Sequence, residues 1–357
     1  MTSAGTAAPS PLRGMIELGT EFWNDSCALR ELQEAVARGA TGATSNPVIV
    51  ASAVEADPER WLPVLRGLVR ARPRATEDGT AWELIEALAR AAARVLEPIH
   101  RASAGERGRL CVQVDPRLHR DARAMLAHAL RLSSLAPNVA IKVPATQAGL
   151  QVLEELSAEG IAVNATVCFT VSQAAACAEA VERGRRRGGR LAPAYVTLMV
   201  GRLDDHLKRL AERDRPAVDP AFPDWAGIAV FKRARGVFQE RGFASRLLVA
   251  AYRHERHWSQ LIGPGIVQSI PYAWWTRFDA SGLRPSPTLD APVDPEVVSG
   301  LRRAFPDFRR AYERRGLEPG EFAGYGASLH TLEQFISGYR RVVESTRAEM
   351  FKSEPKP

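Results

Sequence analysis

The fold is indicated most clearly by residues 138–169, which read NVAIKVPATQAGLQVLEELSAEGIAVNATVCF. An apolar run at Val139–Val143 is followed by an amphipathic stretch at Ala148–Glu159 and by a second apolar run at Ile161–Phe169. Short apolar runs that alternate with helical stretches are typical of βα units built around a parallel sheet. Residues 138–169 therefore predict a strand, a helix and a second strand.

The same alternation continues on both sides of this unit. Further strands are predicted at Met15–Phe22, Ala40–Thr44, Arg109–Val114, Ala194–Val200, Arg246–Ala251 and Ile266–Ile270. A longer connection rich in Asp, Arg and Pro is predicted around Glu212–Pro223, and helices are predicted from Asp294 to Met350. Eight such units predict an α/β fold, a (β/α)8 TIM barrel with additional C-terminal helices. The Rossmann alternative lacks a G-x-G-x-x-G after its first strand.

The composition is that of an ordinary globular protein. The chain has 357 residues, of which 45% are hydrophobic and 25% charged, so a core can be buried. We expect one domain over residues 14–350, with flexible termini at 1–13 and 352–357. No apolar stretch is long enough to span a membrane and no signal peptide is recognised, so a cytoplasmic protein is expected. Barrels of this class occur as monomers and assemblies, which makes a homo-oligomer compatible with the sequence.

The charge and the cysteines exclude several partners. The net charge is +7, but the basic residues are nearly all arginines scattered among acids, without an aromatic-interleaved stripe. We therefore expect no nucleic-acid partner. The four cysteines include no C-x-x-C pair, so neither a zinc site nor a disulfide framework is predicted. No metal and no organic cofactor is expected.

Polar residues lie at the predicted C-terminal ends of the strands. In a barrel of this kind reactive side chains gather at that face. The candidates are Asp25, Asn46, Gln113, Lys142, Asn164, Thr166, Thr197, Arg202 and Arg253.

Lys142 is the central candidate. It stands inside an apolar, β-branched run, where an unpaired ammonium group is costly to bury. Desolvation lowers a lysine pKa and leaves a neutral amine that can attack a ketone to form a Schiff base. A lysine paired with a carboxylate at the end of a strand is the plainer alternative. In a chain that uses arginine, which cannot perform amine chemistry, almost everywhere else, a lysine in a core strand favours catalysis.

Five ordered motifs resemble those of the transaldolase family. They run from about Gly14 to Tyr272, with a weaker resemblance through the C-terminal helices. The motifs are Trp23–Asp25 with Thr44–Pro47 (TSNP), Val114–Leu118 (VDPRL), Asn138–Thr146 with Gly149–Leu150, Gly160–Thr166 (GIAVNAT) and Val200–Asp204 (VGRLD).

The resemblance implies a class I aldol mechanism without a cofactor. Lys142 would form a Schiff base with the C2 carbonyl of a ketose phosphate. Asp25 would act as general base on the C4 hydroxyl. Asn46 and Asn164 would hold the hydroxyls of the three-carbon fragment, and Thr166 would place a water that relays protons.

The resemblance also implies how a phosphorylated sugar is bound. Arg202 and Arg253, together with Thr197, would bind the phosphate, since guanidinium groups suit a dianion. The partners would be small-molecule sugar phosphates of carbohydrate metabolism, in the pentose phosphate pathway. The enzyme would be a transferase of aldehyde or ketone residues, with lyase activity as the alternative.

Two positions depart from the family pattern. Transaldolases usually carry a glutamate where this chain has Gln113, which can hydrogen-bond a relay water but cannot exchange a proton with it. Fructose 6-phosphate aldolases carry glutamine there, but also a tyrosine where this chain has Met199. The alternatives are therefore an aldolase of that type, a specialised-metabolism relative with an unusual substrate, or a non-catalytic barrel that binds sugar phosphates.

Several of these residues also have plainer interpretations. Asp25 could cap a helix, and Asn46 before Pro47 is a common turn dipeptide. Arg253 could belong to a surface cluster. The motif His254-x-x-His257 has helical metal-ligand spacing, but no third ligand is apparent nearby, so it is interpreted as a surface feature.

Overall fold

A computed structural model describes residues 10–353 and shows the predicted (β/α)8 barrel. Within these residues, strands β1 to β8 are parallel, and each pairs with the next until β8 closes on β1. The strands are β1 (Glu21–Asn24), β2 (Gly42–Thr44), β3 (Arg109–Gln113), β4 (Val139–Pro144), β5 (Val163–Cys168), β6 (Ala194–Met199), β7 (Arg246–Ala250) and β8 (Val267–Ile270).

Helices surround the barrel and follow its last strand. They are α1 (Pro11–Glu17), α2 (Leu29–Ala37), α3 (Pro47–Ala56), α4 (Pro58–Ala71), α5 (Glu77–Ala102), α6 (Ala122–Ser133), α7 (Gln147–Ala158), α8 (Val171–Gly188), α9 (Val200–Asp214), α10 (Ala226–Arg241), α11 (Arg256–Ser259), α12 (Tyr272–Asp279), α13 (Pro295–Ala304), α14 (Pro306–Tyr312) and α15 (Gly326–Ser353). Short 3-10 turns occupy Pro116–Leu118, Phe222–Trp225 and Pro319–Gly324.

The barrel has two separate apolar regions. The larger core lies between the strands and the helices, and a small cluster that includes Trp23, Cys111, Ala140 and Tyr195 is separate from it. Trp23 and Tyr195 meet edge to face with ring centroids 4.7 Å apart. Successive side chains of a strand point to opposite faces, so Lys142 lies on the same side of β4 as Ala140. The apolar cluster therefore forms a floor below Lys142.

The last helix lies almost entirely within the segment Asp294–Met350 that was predicted to be helical, and it returns to the barrel. Helix α15 packs against α3, α4 and α5. Tyr339 of α15 stacks on Trp82 of α5 with ring centroids 5.5 Å apart. At Gly338 an added Cβ would lie 2.6 Å from the backbone nitrogen of Val48, so glycine permits the close approach of α15 to α3.

The predicted first strand at Met15–Phe22 is wrong in its first half. Residues Pro11–Glu17 form α1, and β1 begins only at Glu21. Ser10 caps the helix by accepting the Arg13 backbone N–H, and Pro11 takes the first helical position, where no N–H is needed. Met15 is apolar because it is buried on one face of this helix. A short apolar run did not distinguish the two structures.

A helix was also missed after β6. The sequence suggested a long connection before residue 226, but α9 starts at Val200 and ends at Asp214. Its buried positions Val200, Leu203 and Leu207 repeat at helical spacing. The irregular segment is therefore confined to the few residues after the left-handed Arg215, at φ +47°.

The chain ends bear on two further expectations. Residues 1–9 and 354–357 lie outside the described residues, and α1 begins inside the segment 1–13 that was expected to be flexible. The assignment of residues 14–350 to one domain stays a prediction. Over residues 10–353, no helix is both long and apolar enough to cross a membrane.

The barrel floor predicts that Gly42→Ala destabilises the protein. A Cβ at Gly42 would lie 2.4 Å from the Trp23 ring, inside a closed interior that cannot expand. We expect a loss of about 1–3 kcal/mol in the free energy of unfolding, measured by urea denaturation. Gly67→Ala in α4 is the matched control, because nothing lies within 4 Å of its Cβ position. That variant should gain up to about 1 kcal/mol from helix propensity. Equal effects at both glycines would contradict a packed floor.

Candidate active site

Lys142 lies at the centre of the C-terminal half of the barrel. It is 2% exposed, and its register partners are Gln113 on β3 and Asn164 on β5. The Nζ atom donates a hydrogen bond to the Ser45 carbonyl at 3.1 Å. No ion pair of Lys142 is present among the described residues. The structure therefore does not show the plainer alternative, in which the lysine is paired with a carboxylate at 4 Å or less.

Asp25 follows β1 and faces the same interior. Thr44 Oγ1 donates to Asp25 Oδ1 at 2.6 Å, and the Ser269 hydroxyl lies 2.6 Å from Thr44 Oγ1. Burial raises the pKa of Asp25, while Lys142 and the Thr44 hydrogen bond act in the opposite direction. Its backbone N–H donates to the Ile270 carbonyl, and α2 begins later, at Leu29. The carboxylate is thus held in the barrel and does not cap that helix.

Burial also controls the protonation of Lys142. It lowers the pKa of the amine below the ordinary 10.5, and the charge of Asp25 opposes this shift. A lowered pKa increases the fraction of neutral amine near neutral pH, and only the neutral amine is a nucleophile. Burial therefore shifts the pKa of the Lys142 amine down and that of the Asp25 carboxyl up, the two directions that imine formation and proton transfer require.

A polar layer surrounds the amine. Asn164 Oδ1 accepts from Thr197 Oγ1 at 2.6 Å, and its Nδ2 donates to Cys111 Sγ at 3.2 Å. Thr166 is fully buried, with its hydroxyl 3.8 Å from the sulfur of Met199. These contacts fix the polar atoms before any ligand arrives, which favours the binding of one preferred orientation.

Gln113 completes this layer and has an open acceptor. Its side chain is 4% exposed, and Oε1 has no hydrogen-bond partner among the described residues. A buried amide oxygen without a partner is costly unless water or a ligand supplies a donor. Gln113 therefore suits a position next to a bound water or substrate hydroxyl.

Asn46 has a structural role that the turn interpretation anticipated in part. It caps α3, since Oδ1 accepts from the backbone N–H groups of Val48 at 3.0 Å and Ile49 at 3.1 Å. A cap of this kind stabilises a helix by about 1 kcal/mol. The cap uses the carbonyl oxygen of the amide, so its NH₂ group remains for a ligand.

Arg202 and Arg253 converge from neighbouring units of the barrel. Burial, and next the charge of Arg253, lower the pKa of Arg202 to about 10. Arg202 contacts Gln334 and lies over the Phe335 ring of α15, 5.3 Å from its centroid. Arg253 pairs with Asp205, with Nη2 and Oδ2 2.8 Å apart. Two guanidinium groups of like charge that act on each other attract anions.

Sequence reasoning missed two hydroxyl groups and misplaced one histidine. Thr44 donates to Asp25 and Ser269 hydrogen-bonds Thr44, although Thr44 was quoted only as part of a motif and Ser269 not at all. The surface interpretation of His254-x-x-His257 is wrong for His257, which is fully buried. Asp204 lies 2.7 Å from its Nε2 atom and comes from α9, the helix that the sequence analysis missed.

Known proteins resemble this chain along most of its length. The family model described as Transaldolase/Fructose-6-phosphate aldolase matches residues 22–307. "Transaldolase 1" of Streptomyces coelicolor is 28% identical, with 96% of this chain and 91% of that protein covered. "Transaldolase" of Thermobifida fusca is 29% identical, with 96% and 98% covered. "Transaldolase 1" of Streptomyces avermitilis is 30% identical, with 73% and 77% covered.

The burial of Lys142 predicts that Lys142→Met stabilises the fold by about 1–2 kcal/mol. Because burial lowers its pKa, the unfolded chain binds this proton more tightly than the folded protein does. The penalty is full at low pH and disappears as the pH rises towards 10.5. The stability difference between variant and parent, measured by urea denaturation from pH 6 to 10, should shrink accordingly.

The control for this prediction is Lys208→Met. Lys208 is half-exposed and lies next to Asp224. Its removal should leave the free energy of unfolding nearly unchanged or slightly lower. A Lys142→Met variant that is destabilised at every pH would contradict the inferred cost of burying the amine.

Proposed function

The chain belongs to the transaldolase and fructose-6-phosphate aldolase family, and from this premise we propose that it transfers a dihydroxyacetone unit between sugar phosphates through a Schiff base on Lys142. It is an enzyme of the transaldolase type, which moves aldehyde or ketone residues. The observation that carries the proposal is that Lys142 is buried and forms no ion pair within residues 10–353, while the charge of Asp25 acts on its amine. Burying an amine in this way costs stability, and the formation of a Schiff base is a function that would offset this cost.

The first step proposed is attack of the neutral Lys142 amine on the C2 carbonyl of a ketose phosphate. The nitrogen–carbon bond forms as the carbonyl π bond breaks and its oxygen takes up one proton from solvent. The nitrogen then passes one of its own protons to that hydroxyl, the carbon–oxygen bond breaks, and water leaves to give the protonated imine. Asn164 and the Asn46 amide group would bind the hydroxyls of the first three carbons. Both side chains are buried and already held by hydrogen bonds, which supports an orienting role.

The second step proposed is cleavage of the C3–C4 bond. Asp25 takes the proton of the C4 hydroxyl, the bonding electrons move into the protonated imine, and an aldose phosphate leaves. The dihydroxyacetone unit stays on Lys142 as an enamine. Attack of this enamine on a second aldose phosphate reverses each step, with Asp25 returning the proton. The raised pKa of Asp25 suits a group that must both accept and return a proton near neutral pH.

Arg202 and Arg253 would bind the phosphate group of both donor and acceptor. Arg202 contacts Gln334 and Arg253 pairs with Asp205, so a phosphate dianion would compete with these contacts. Charge-assisted hydrogen bonds from two guanidinium groups favour the dianion over either partner. Thr197 would support the phosphate end of the substrate, and Thr166 would support a relay water. Both proposed roles rest on buried hydroxyl groups.

A second candidate function is aldol cleavage with release of free dihydroxyacetone. It is favoured by Gln113, which has a neutral amide. Gln113 lies two residues after Cys111 on β3 and pairs in register with Lys142 on the neighbouring strand. Such an amide can hold a water but cannot exchange protons with it, which slows proton transfer around the imine. The third candidate, a non-catalytic barrel that binds sugar phosphates, has no use for a buried amine and is the least supported.

The proposal predicts that borohydride traps a ketose phosphate on Lys142. Incubation with fructose 6-phosphate and borohydride should add the reduced donor fragment to the peptide that contains Lys142, as measured by mass spectrometry. Lys142→Met should abolish the adduct. Lys232→Gln is the matched control, because burial lowers the pKa of Lys232 to about 8 and makes it a second weakly basic amine. An adduct that survives in Lys142→Met and disappears in Lys232→Gln would refute the assignment.

The two catalytic candidates differ in the response to Gln113→Glu. If Gln113 holds a relay water, the carboxylate should raise transfer to erythrose 4-phosphate by about tenfold or more, since general acid–base groups contribute ~10²–10⁴-fold. Both the transfer product and free dihydroxyacetone should be measured for each variant. Gln151→Glu on the exposed face of α7 controls for the added charge. Efficient release without transfer in both Gln113 forms would favour the lyase.

A further inference from the structure

Two buried residues that lie close in sequence to Arg202 and Arg253 have no role in the proposed chemistry. Asp204 lies on α9, two residues after Arg202, and His257 lies on α11, four residues after Arg253. Both side chains are 0% exposed. A charged carboxylate is rarely buried to this extent unless hydrogen bonds compensate it, so its partners indicate what it does.

Asp204 and His257 form part of a continuous chain of hydrogen bonds that reaches the backbone of Arg253. The Arg253 N–H donates to His257 Nδ1 at 3.1 Å, and His257 Nε2 lies 2.7 Å from Asp204 Oδ2. The Gly227 N–H donates to Asp204 Oδ1 at 2.8 Å. Because Nδ1 accepts, the proton of a neutral ring must be on Nε2, where it donates to Asp204. Burial lowers the pKa of His257, a shift in the direction that favours the neutral ring, while Asp204 acts in the opposite direction.

The turn that carries Arg202 is also pressed against the turn that carries Arg253. A Cβ on Gly201 would lie 2.1 Å from the Ala251 carbonyl oxygen and 2.7 Å from Arg253 Cγ. The Gly201 N–H donates to that carbonyl at 3.0 Å. Ala251 is left-handed, with φ +68°, a conformation that costs a non-glycine residue about 1–3 kcal/mol. Such strain persists only where the surroundings fix the backbone.

The same side chains have the composition of a metal site, since ligand atoms of Asp204, His254 and His257 lie within 4.8 Å of one another. The hydrogen bonds disfavour this use. A cation on His257 Nε2 would move the ring proton to Nδ1, where it would face the Arg253 N–H. Asp204 Oδ1 is already taken by Gly227. The cluster is therefore better explained as a hydrogen-bonded connection between two loops.

We propose that Asp204 and His257 are positioning residues, which fix the backbone of Arg253 relative to Arg202 and so preorganise the pair of arginines for a phosphate group. The inference rests on the proposed function in that a sugar phosphate is the ligand. Lys142 and Asp25 come from β4 and the end of β1, and within residues 10–353 no hydrogen bond or ion pair joins them to Asp204 or His257. Its loss should weaken the affinity for phosphate while imine formation continues.

The test compares His257→Leu with His257→Gln. Leucine removes both hydrogen bonds, whereas a glutamine amide has an oxygen that can accept from Arg253 and a nitrogen that can donate to Asp204. We expect His257→Leu to raise KM for fructose 6-phosphate about tenfold with kcat within about twofold of the parent. His257→Gln should restore most of this loss. Borohydride trapping of unphosphorylated dihydroxyacetone on Lys142 should be the same in all three proteins.

Binding of inorganic phosphate, measured by calorimetry, provides a readout that does not depend on turnover. It should weaken about tenfold in His257→Leu and remain near the parent value in His257→Gln. If this pattern appears in a parent protein that shows no transfer or cleavage, the positioning role stands and the proposed function fails. Unchanged phosphate affinity in His257→Leu, or an equal loss of phosphate binding and dihydroxyacetone trapping, would overturn the positioning role.

Asp204→Asn covers the case in which His257→Leu does not fold. An asparagine amide must turn its NH₂ group towards either the His257 Nε2–H or the Gly227 N–H, so one donor faces another. The same selective loss of phosphate affinity is expected. Titration of the parent with zinc chloride tests the alternative: stoichiometric binding that is lost in His254→Leu would establish a metal site and overturn the inference.

Discussion

Closure of the eight-stranded sheet is the constraint on which the rest of the structure depends. In a closed barrel every second residue of each strand must enter a narrow interior that water does not fill. The lower part of that interior is apolar, around Trp23 and Ala140, and the upper part is polar. Lys142 lies two residues after Ala140 on the same strand, at the level where the interior changes from apolar to polar. The lowering of its pKa by burial is therefore a consequence of its position in the strand.

The sequence predicted the barrel and most of its polar layer for a physical reason. Strands buried on both faces are apolar runs, so a polar side chain near the end of such a run, such as Lys142 or Asn164, stands out. The same contrast located Gln113 and Thr197. The residues that bring two barrel units together were harder to recognise, because their partners are distant in the chain. His257 contacts Asp204 across 53 positions, and nothing local reveals it.

The errors have a common cause. Met15 was assigned to a strand because a short apolar run fits either a strand or one face of a helix, and the cap at Ser10 decided the outcome. Helix α9 was read as a connection because its few apolar positions are surrounded by charged residues. Because the sequence analysis missed α9, it could not place Asp204 in the fold. It therefore found no partner for the histidine pair. One local error thus concealed a tertiary contact.

The aromatic floor has a consequence for the order of events in catalysis. Trp23 and Tyr195 are almost completely buried and lie edge to face across the interior, so neither substrate nor product can pass between them. In the proposed transfer, the aldehyde that leaves and the aldehyde that replaces it would then use the same entrance, one after the other. This geometry suits a substituted-enzyme kinetic scheme, in which the first product leaves before the second substrate binds.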